Sequence, residues 1–158
     1  MNILAQVMAY YCLTYPHPQE LSDARLTKMV YLSDWFSSLS LGNQITDISW
    51  YFNHYGPYVE DVLTTAQRYP DLFKVSLEQN YYGNTKKIIQ YVGSSSLITL
   101  NEQTKIILNA VVEQTKHMYF NDFIEFIYST YPISKNDRYA YLDLPNLAKE
   151  YKTVAVNG

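Results

Sequence analysis

Cysteine is almost absent: the chain of 158 residues has one, Cys12. A single thiol excludes an intramolecular disulfide and a cysteine-rich metal site, and it fits a reducing, cytoplasmic setting. Glycine is scarce as well. Five glycines could hardly build the phosphate-cradling loops or paired dinucleotide glycines of nucleotide enzymes, and no serine nucleophile elbow occurs. His17, His54 and His117 lie far apart, none with a second ligand one helical turn away, so neither a zinc site nor any cofactor is expected. No run approaches the roughly 18 apolar residues of a membrane span, and the N-terminus lacks the basic start of a secretory signal. Neither sign of charge dominates. Twelve basic against 15 acidic residues leave a formal charge of −3, which gives no general attraction to nucleic-acid backbones or anionic lipid.

What is present is enough apolar material for a core, 47% of residues, and an unusual supply of tyrosine, 17 in all without a repeat period. Tyrosine packs a ring and keeps a polar tip wet, which suits half-buried positions and contact surfaces.

Apolar residues at helical spacing from Ile3 to Tyr11 predict a first helix over 2–14, ended by Pro16 and Pro18. Leu26 to Phe36 is apolar nearly all round, the mark of a central helix covered on most sides. Gly42 and Asn43 stop it. At Ile48, Trp50 and Phe52 the period changes to two, predicting a strand with one buried face. Gly56 and Pro57 then read as the opening of a third helix reaching Arg68, with Pro57 at its first position and Glu60 and Asp61 near its N-terminus. Phe73, Val75 and Leu77, the Gly83-Asn84 turn and KKIIQYV predict a hairpin. Thr99 and Glu102 have capping-box spacing ahead of a long helix to Lys116. A further helix ends before Pro132, a polar loop follows, and Pro145 opens a last short helix. The resulting fold class is α+β, a mostly helical single domain over 1–152 with a small three-stranded antiparallel sheet, and 153–158 as a frayed tail.

Three chemical readings were weighed on these elements. Asp34 with His54 could form an acid–base couple, but an aspartate on an apolar helix more often anchors a neighbouring backbone or pairs with a base such as Arg25 or Lys28. Cys12, without a nearby cation, reads as a small buried thiol. A winged-helix-like, nucleic-acid-binding regulator is the alternative function, with NYYGNTKK as the wing. Its candidate reading helix carries one basic residue, Arg68, against Glu60 and Asp61, which would repel a duplex. Lys86 and Lys87 are explained equally by a charged hairpin edge. An enzyme is not expected.

LTKMVYLSDW (Leu26 to Trp35), a strand ending in FNHYGPYVEDV, a hairpin, and then LNEQTKIILNAVVEQ together resemble the Panacea, or SocA-like, antitoxin domain over nearly the whole chain, as a divergent member without an added domain. The resemblance places the family's structural motif at Lys28, Tyr31, Gly56 and Pro57. It implies a non-catalytic protein that binds and neutralises a toxin encoded next to it in bacteria or phages, or, in a viral setting, a host defence factor. The partner is then a protein, with no membrane or nucleic acid, and self-association stays open. The binding surface is sought among clustered aromatics, with Tyr58, Tyr81 and Tyr82 as the exposed candidates.

Overall fold

The structure is a computed structural model that describes residues 1–79 and 82–157. Helix α1 (Ile3–Thr14) starts at Asn2, whose side chain accepts from the Ala5 N–H at 2.8 Å. A 3-10 turn at Pro18–Glu20 leads to α2 (Asp23–Leu41), capped by Ser22 and closed at Gly42, which takes the left-handed backbone at φ +82°. Every residue from Arg25 to Trp35 is buried, so α2 is the central helix that its all-round apolar sequence predicts.

Strand β1 (Trp50–Asn53) alternates as expected, with Trp50 and Phe52 buried. The Gly-Pro corner differs from the reading of a helix start. Gly56, at φ +103°, turns the chain straight back, so that Gly56–Pro57 forms strand β2 with Pro57 opposite Phe52 and Gly56 opposite Asn53. A residue at that φ is poorly served by any side chain, and it cannot continue into an α-helix. Helix α3 (Asp61–Arg68) starts four residues after Pro57.

The hairpin forms as predicted, β3 (Phe73–Gln79) against β4 (Thr85–Tyr91). It does not join β1. The three-stranded sheet is instead β2-β1-β5, completed by β5 (Tyr141–Leu142) from the segment that reads as a polar loop, and the hairpin is a second sheet of two strands. Helix α2 touches both β2 and β4, and β4 is occupied on its far side by Leu21, whose carbonyl accepts from Ile89 N–H at 3.0 Å.

Helix α4 (Glu102–Thr115) is capped by Asn101, not Thr99. Leu100 is turned into the core, and Thr99 is drawn away to Gln6, whose Oε1 accepts its N–H at 2.8 Å. Helices α5 (Phe120–Ser129) and α6 (Tyr131–Ser134) follow. The last helix, α7 (Leu144–Asn157), is longer than the short one expected and continues through the residues read as a tail. Tyr151 within it packs edge-on against Trp35 and Tyr131, and Tyr131 donates to Glu150 at 2.7 Å. These contacts hold the helix against α2 and α6.

One core runs from Leu4 through Trp50 and Phe123 to Ala148. Burying each large apolar side chain there contributes about 1.5–3 kcal/mol. Among the described residues, no helix is long and apolar enough to cross a membrane.

Candidate functional site

The region around β1 has a buried inner side and an exposed outer side, and they do different things. On the inner side sits Asp34 of α2, fully buried. Its carboxylate accepts from the N–H groups of Ile45 and Thr46, both at 2.9 Å, from the Thr46 hydroxyl, and from Trp50 Nε1 at 2.8 Å. Burial pushes its pKa up to about 6 while these hydrogen bonds pull the other way. Asp34 is therefore a backbone anchor that ties the loop after α2 to the helix and sets Trp50 into the core.

Neither proposed base reaches it. Arg25 donates from Nη2 to the Tyr15 hydroxyl at 2.6 Å and to the Thr115 and Met118 carbonyls, with its guanidinium 4.5 Å from the Phe123 ring centre. Lys28 is 2% exposed and lies against the Tyr58 ring, ammonium to ring centre 5.9 Å. Burial lowers its pKa to about 8, with Asp23 acting to raise it.

Lys28, Tyr31, Gly56 and Pro57, where the resemblance places the motif, are all buried. Tyr31 bonds Thr130 through its hydroxyl at 2.8 Å and sets its ring edge-on to Trp50. A Cβ on Gly56 would stand 3.6 Å from Lys28 Cε and from the Tyr128 ring, so the corner lies directly on the Lys28 stem. Tyr31 thus ties α2 to the end of α5, and the Gly56 corner lies between Lys28 of α2 and Tyr128 of α5.

His54 is exposed, and its Nδ1 meets the Tyr139 hydroxyl at 3.1 Å. Asp34 is buried and occupied, so the two do not form an acid–base couple. Cys12 is half-buried, its thiol pushed up to about 12 by burial and directed at the Ile89 carbonyl. A thiol held so far from ionisation is a poor nucleophile. Among the described residues no cluster of three or more His, Cys, Asp or Glu could hold a metal.

The outer side is a face of tyrosines. Alternation that sends Trp50, Phe52 and Leu142 inward sends Tyr51 and Tyr141 outward, and these two cross-strand partners stack edge-on with ring centres 5.0 Å apart. Tyr55, at the turn between β1 and β2, is 74% exposed, Tyr139 60% and Tyr141 75%. The His54 ring lies 4.5 Å from Tyr55. Arg138 braces the patch from below, donating to the His54 carbonyl at 2.8 Å and to the Tyr128 hydroxyl at 3.2 Å. Tyr139 has a left-handed backbone, φ +68°, and its N–H donates to the Phe52 carbonyl. A tyrosine in that conformation is uncommon and costs about 1 kcal/mol.

The candidate anchors read from sequence fare differently. Tyr58 is half-buried rather than exposed, its hydroxyl donating to Asp23 at 2.8 Å and its ring covering Lys28. It follows Gly-Pro directly, so the corner that was to present it folds it inward. Tyr82 is 85% exposed, and Tyr81 lies outside the described residues. Tyr139 and Tyr141 were missed. Their signal is the short alternation Tyr-Ala-Tyr-Leu at 139–142, a two-period pattern too brief to stand out in a segment otherwise read as loop.

No curated protein and no solved structure matches this chain. A family model does, that of the antitoxin SocA-like Panacea domain, over residues 26–139. This span takes in α2 from Leu26 onward, the Gly-Pro corner, the hairpin, α4 and Tyr139, and stops short of β5 and α7. A match over that much of the chain shows that it belongs to the antitoxin SocA-like family, Panacea domain.

Proposed function

We propose that the protein acts without catalysis by binding and neutralising a toxin protein, the product of an adjacent gene in a bacterial or phage toxin–antitoxin system, in the cytoplasm. Family membership supports an antitoxin-type role. The observation that carries the binding reading is the face formed by Tyr51, Tyr55, Tyr139 and Tyr141. Tyrosine supplies large, rigid, amphipathic contact area and is enriched among the residues that dominate interface energies. A contiguous exposed aromatic patch marks an interaction site more often than chance. Tyr82 offers a second anchor on the hairpin side of the molecule.

The test is expression of the neighbouring gene alone and together with this protein, with the Tyr55→Ala/Tyr141→Ala variant in parallel. The neighbour should arrest growth, the protein should restore it in a stoichiometric complex, and the double variant should restore it poorly while remaining folded. A harmless neighbour, or no complex, would refute the antitoxin reading. Full rescue by the double variant would refute the face.

A further inference from the structure

A groove of about 620 Å³ opens away from the tyrosine face, between the first turn of α2, strand β4 and the start of α5. It shares no residue with that face. One wall is the outer edge of β4. Because Ile89 N–H points to the Leu21 carbonyl, the alternation of an antiparallel strand turns the backbone groups of the other odd-numbered residues, Lys87 and Thr85, to the same side. The chain itself adds to this edge, but only briefly. Ser22 pairs with Ile88 in an isolated antiparallel bridge, and then α2 begins and leads the backbone away. Among the described residues nothing lengthens the ladder past that bridge, so Thr85 and the Lys87 N–H are left as an open edge.

On β4 itself the charged side chains at that edge are basic. Lys86 and Lys87 line the groove, and so does Arg25. The Arg25 side chain is only 3% exposed and its guanidinium is engaged by the Tyr15 hydroxyl and the Thr115 and Met118 carbonyls, so the accessible cations are Lys86 and Lys87. The N-terminus of α2 adds partial positive charge. Two carboxylates line the groove on the side of α2, Glu20 just ahead of the helix and Asp23 in its first turn, where Asp23 accepts from the Tyr58 and Thr27 hydroxyls. At the opposite wall Tyr119 is 82% and Phe120 50% exposed, apolar rings beside a polar edge.

We propose that this groove seats an extended, acidic peptide segment of a partner protein, added as a strand to the free edge of β4. The Lys87 and Thr85 backbone groups continue the ladder that Ser22 starts. Lys86 and Lys87 meet the acidic side chains, and Tyr119 and Phe120 cover an apolar side chain between them. This is strand addition, in which main-chain bonds supply affinity and side-chain pockets supply selectivity. The inference stands independently of the antitoxin reading, because it uses a different surface and names only the chemistry of the segment.

The experiment is selection of a phage-displayed library of random nine-residue peptides on the immobilised full chain and, in parallel, on its Lys86→Glu/Lys87→Glu variant. Both side chains are exposed at the outer half of β4, so the variant should keep its circular dichroism spectrum and melting temperature. Sequences enriched on the wild type should be rich in Asp and Glu. A synthetic peptide from that pool should bind the variant at least about tenfold more weakly, some 1.4 kcal/mol. Its binding should slow hydrogen exchange at the Lys87 amide, and N-methylation of its alternate amides should abolish binding. A pool without acidic excess, equal binding to the variant, or indifference to N-methylation would each overturn the proposal.

Discussion

The two small sheets are held by opposite means. The sheet β2-β1-β5 joins segments far apart in the chain, Trp50 opposite Leu142 and Tyr51 opposite Tyr141, and is fastened from beneath by a buried carboxylate and the Gly56 corner. The hairpin β3–β4 is local, seven residues against seven across one turn. From Leu77 outward on β3 and up to Lys87 on β4 its residues are exposed. A short sheet pinned by side chains can present other side chains in fixed positions, as it does with Tyr51, Tyr55, Tyr139 and Tyr141. A ladder that runs out past the core offers its backbone. The first sheet suits recognition by rings and the second recognition by an edge.

Removing the pin is the most direct way to break this contrast. Asp34→Ala would leave the N–H groups of Ile45 and Thr46 and the Trp50 indole without their acceptor in a buried site. Each stranded donor costs about 1–3 kcal/mol, so urea unfolding should show a loss of roughly 3 kcal/mol or more. A loss below about 1 kcal/mol would mean that the loop finds other partners and that Asp34 does not fasten the sheet.

The two turn glycines allow a matched comparison. Gly56 has φ +103° and Gly83 φ +81°. A Cβ at Gly83 would meet nothing within 4 Å, whereas at Gly56 it would stand 3.6 Å from Lys28 and Tyr128. A valine at either meets backbone strain of order 1–3 kcal/mol, and at Gly56 its γ carbons also press on those side chains. Gly56→Val should lose about 2 kcal/mol of global stability, because Pro57 is held against Phe52 and the strain cannot be relieved locally. Gly83→Val should lose less, since opening the outer hairpin exposes no core. Equal losses would remove the distinction between the pinned and the local sheet.

The same contrast explains what the sequence made legible. The helices, the hairpin and the alternation of Trp50 and Phe52 follow from periodicities a few residues long, and the α+β class and family motif rest on those. Three features depend on contacts that no short window contains. Thr99 has good capping chemistry, but Gln6 takes its N–H, and Asn101 caps instead. Pro57 is suited to a helix start, but Gly56 folds it against Phe52. Tyr139 and Tyr141 carry only a four-residue alternation, so their place beside Tyr51 comes from strand pairing, not local pattern. The Asp34 anchor was within reach as one of two ordinary roles for an aspartate on an apolar helix; its partners were not.

Lys28 sharpens the comparison through pH. Its pKa in the folded chain is about 8, against 10.5 for the free side chain, because burial disfavours the charged form more than Asp23 favours it. Below pH 8 the charge is carried in both folded and unfolded chains, and its burial is a constant cost. As pH rises from about 8 towards 10.5 the folded chain gives up the proton first, so this residue makes stability increase with pH. Buried Tyr11 and Tyr31, whose pKa values burial raises, act in the opposite direction only as tyrosine begins to ionise near pH 10. Between pH 8 and about 9.5, then, the urea midpoint of the wild type should rise relative to that of Lys28→Met. A constant difference across that range would show that Lys28 has water or a counter-charge beside it when folded.

The smallest effect on stability should come from Tyr139, and it discriminates most finely between the two uses of the tyrosine sheet. Its left-handed backbone, φ +68°, is a strain of about 1 kcal/mol that glycine would not bear. Tyr139→Gly also gives up the hydroxyl contact with His54 and adds freedom to the unfolded chain, terms of similar size and opposite sign. The net change in stability should stay within about 1 kcal/mol. If the ring is kept in this conformation for a partner, binding should weaken by well over the change in stability, because removing an exposed aromatic anchor typically costs about 2 kcal/mol or more at an interface. A large loss of stability with unchanged binding would reverse the assignment, making the Tyr139 side chain a brace for His54 and leaving Tyr55 and Tyr141 to carry the contact.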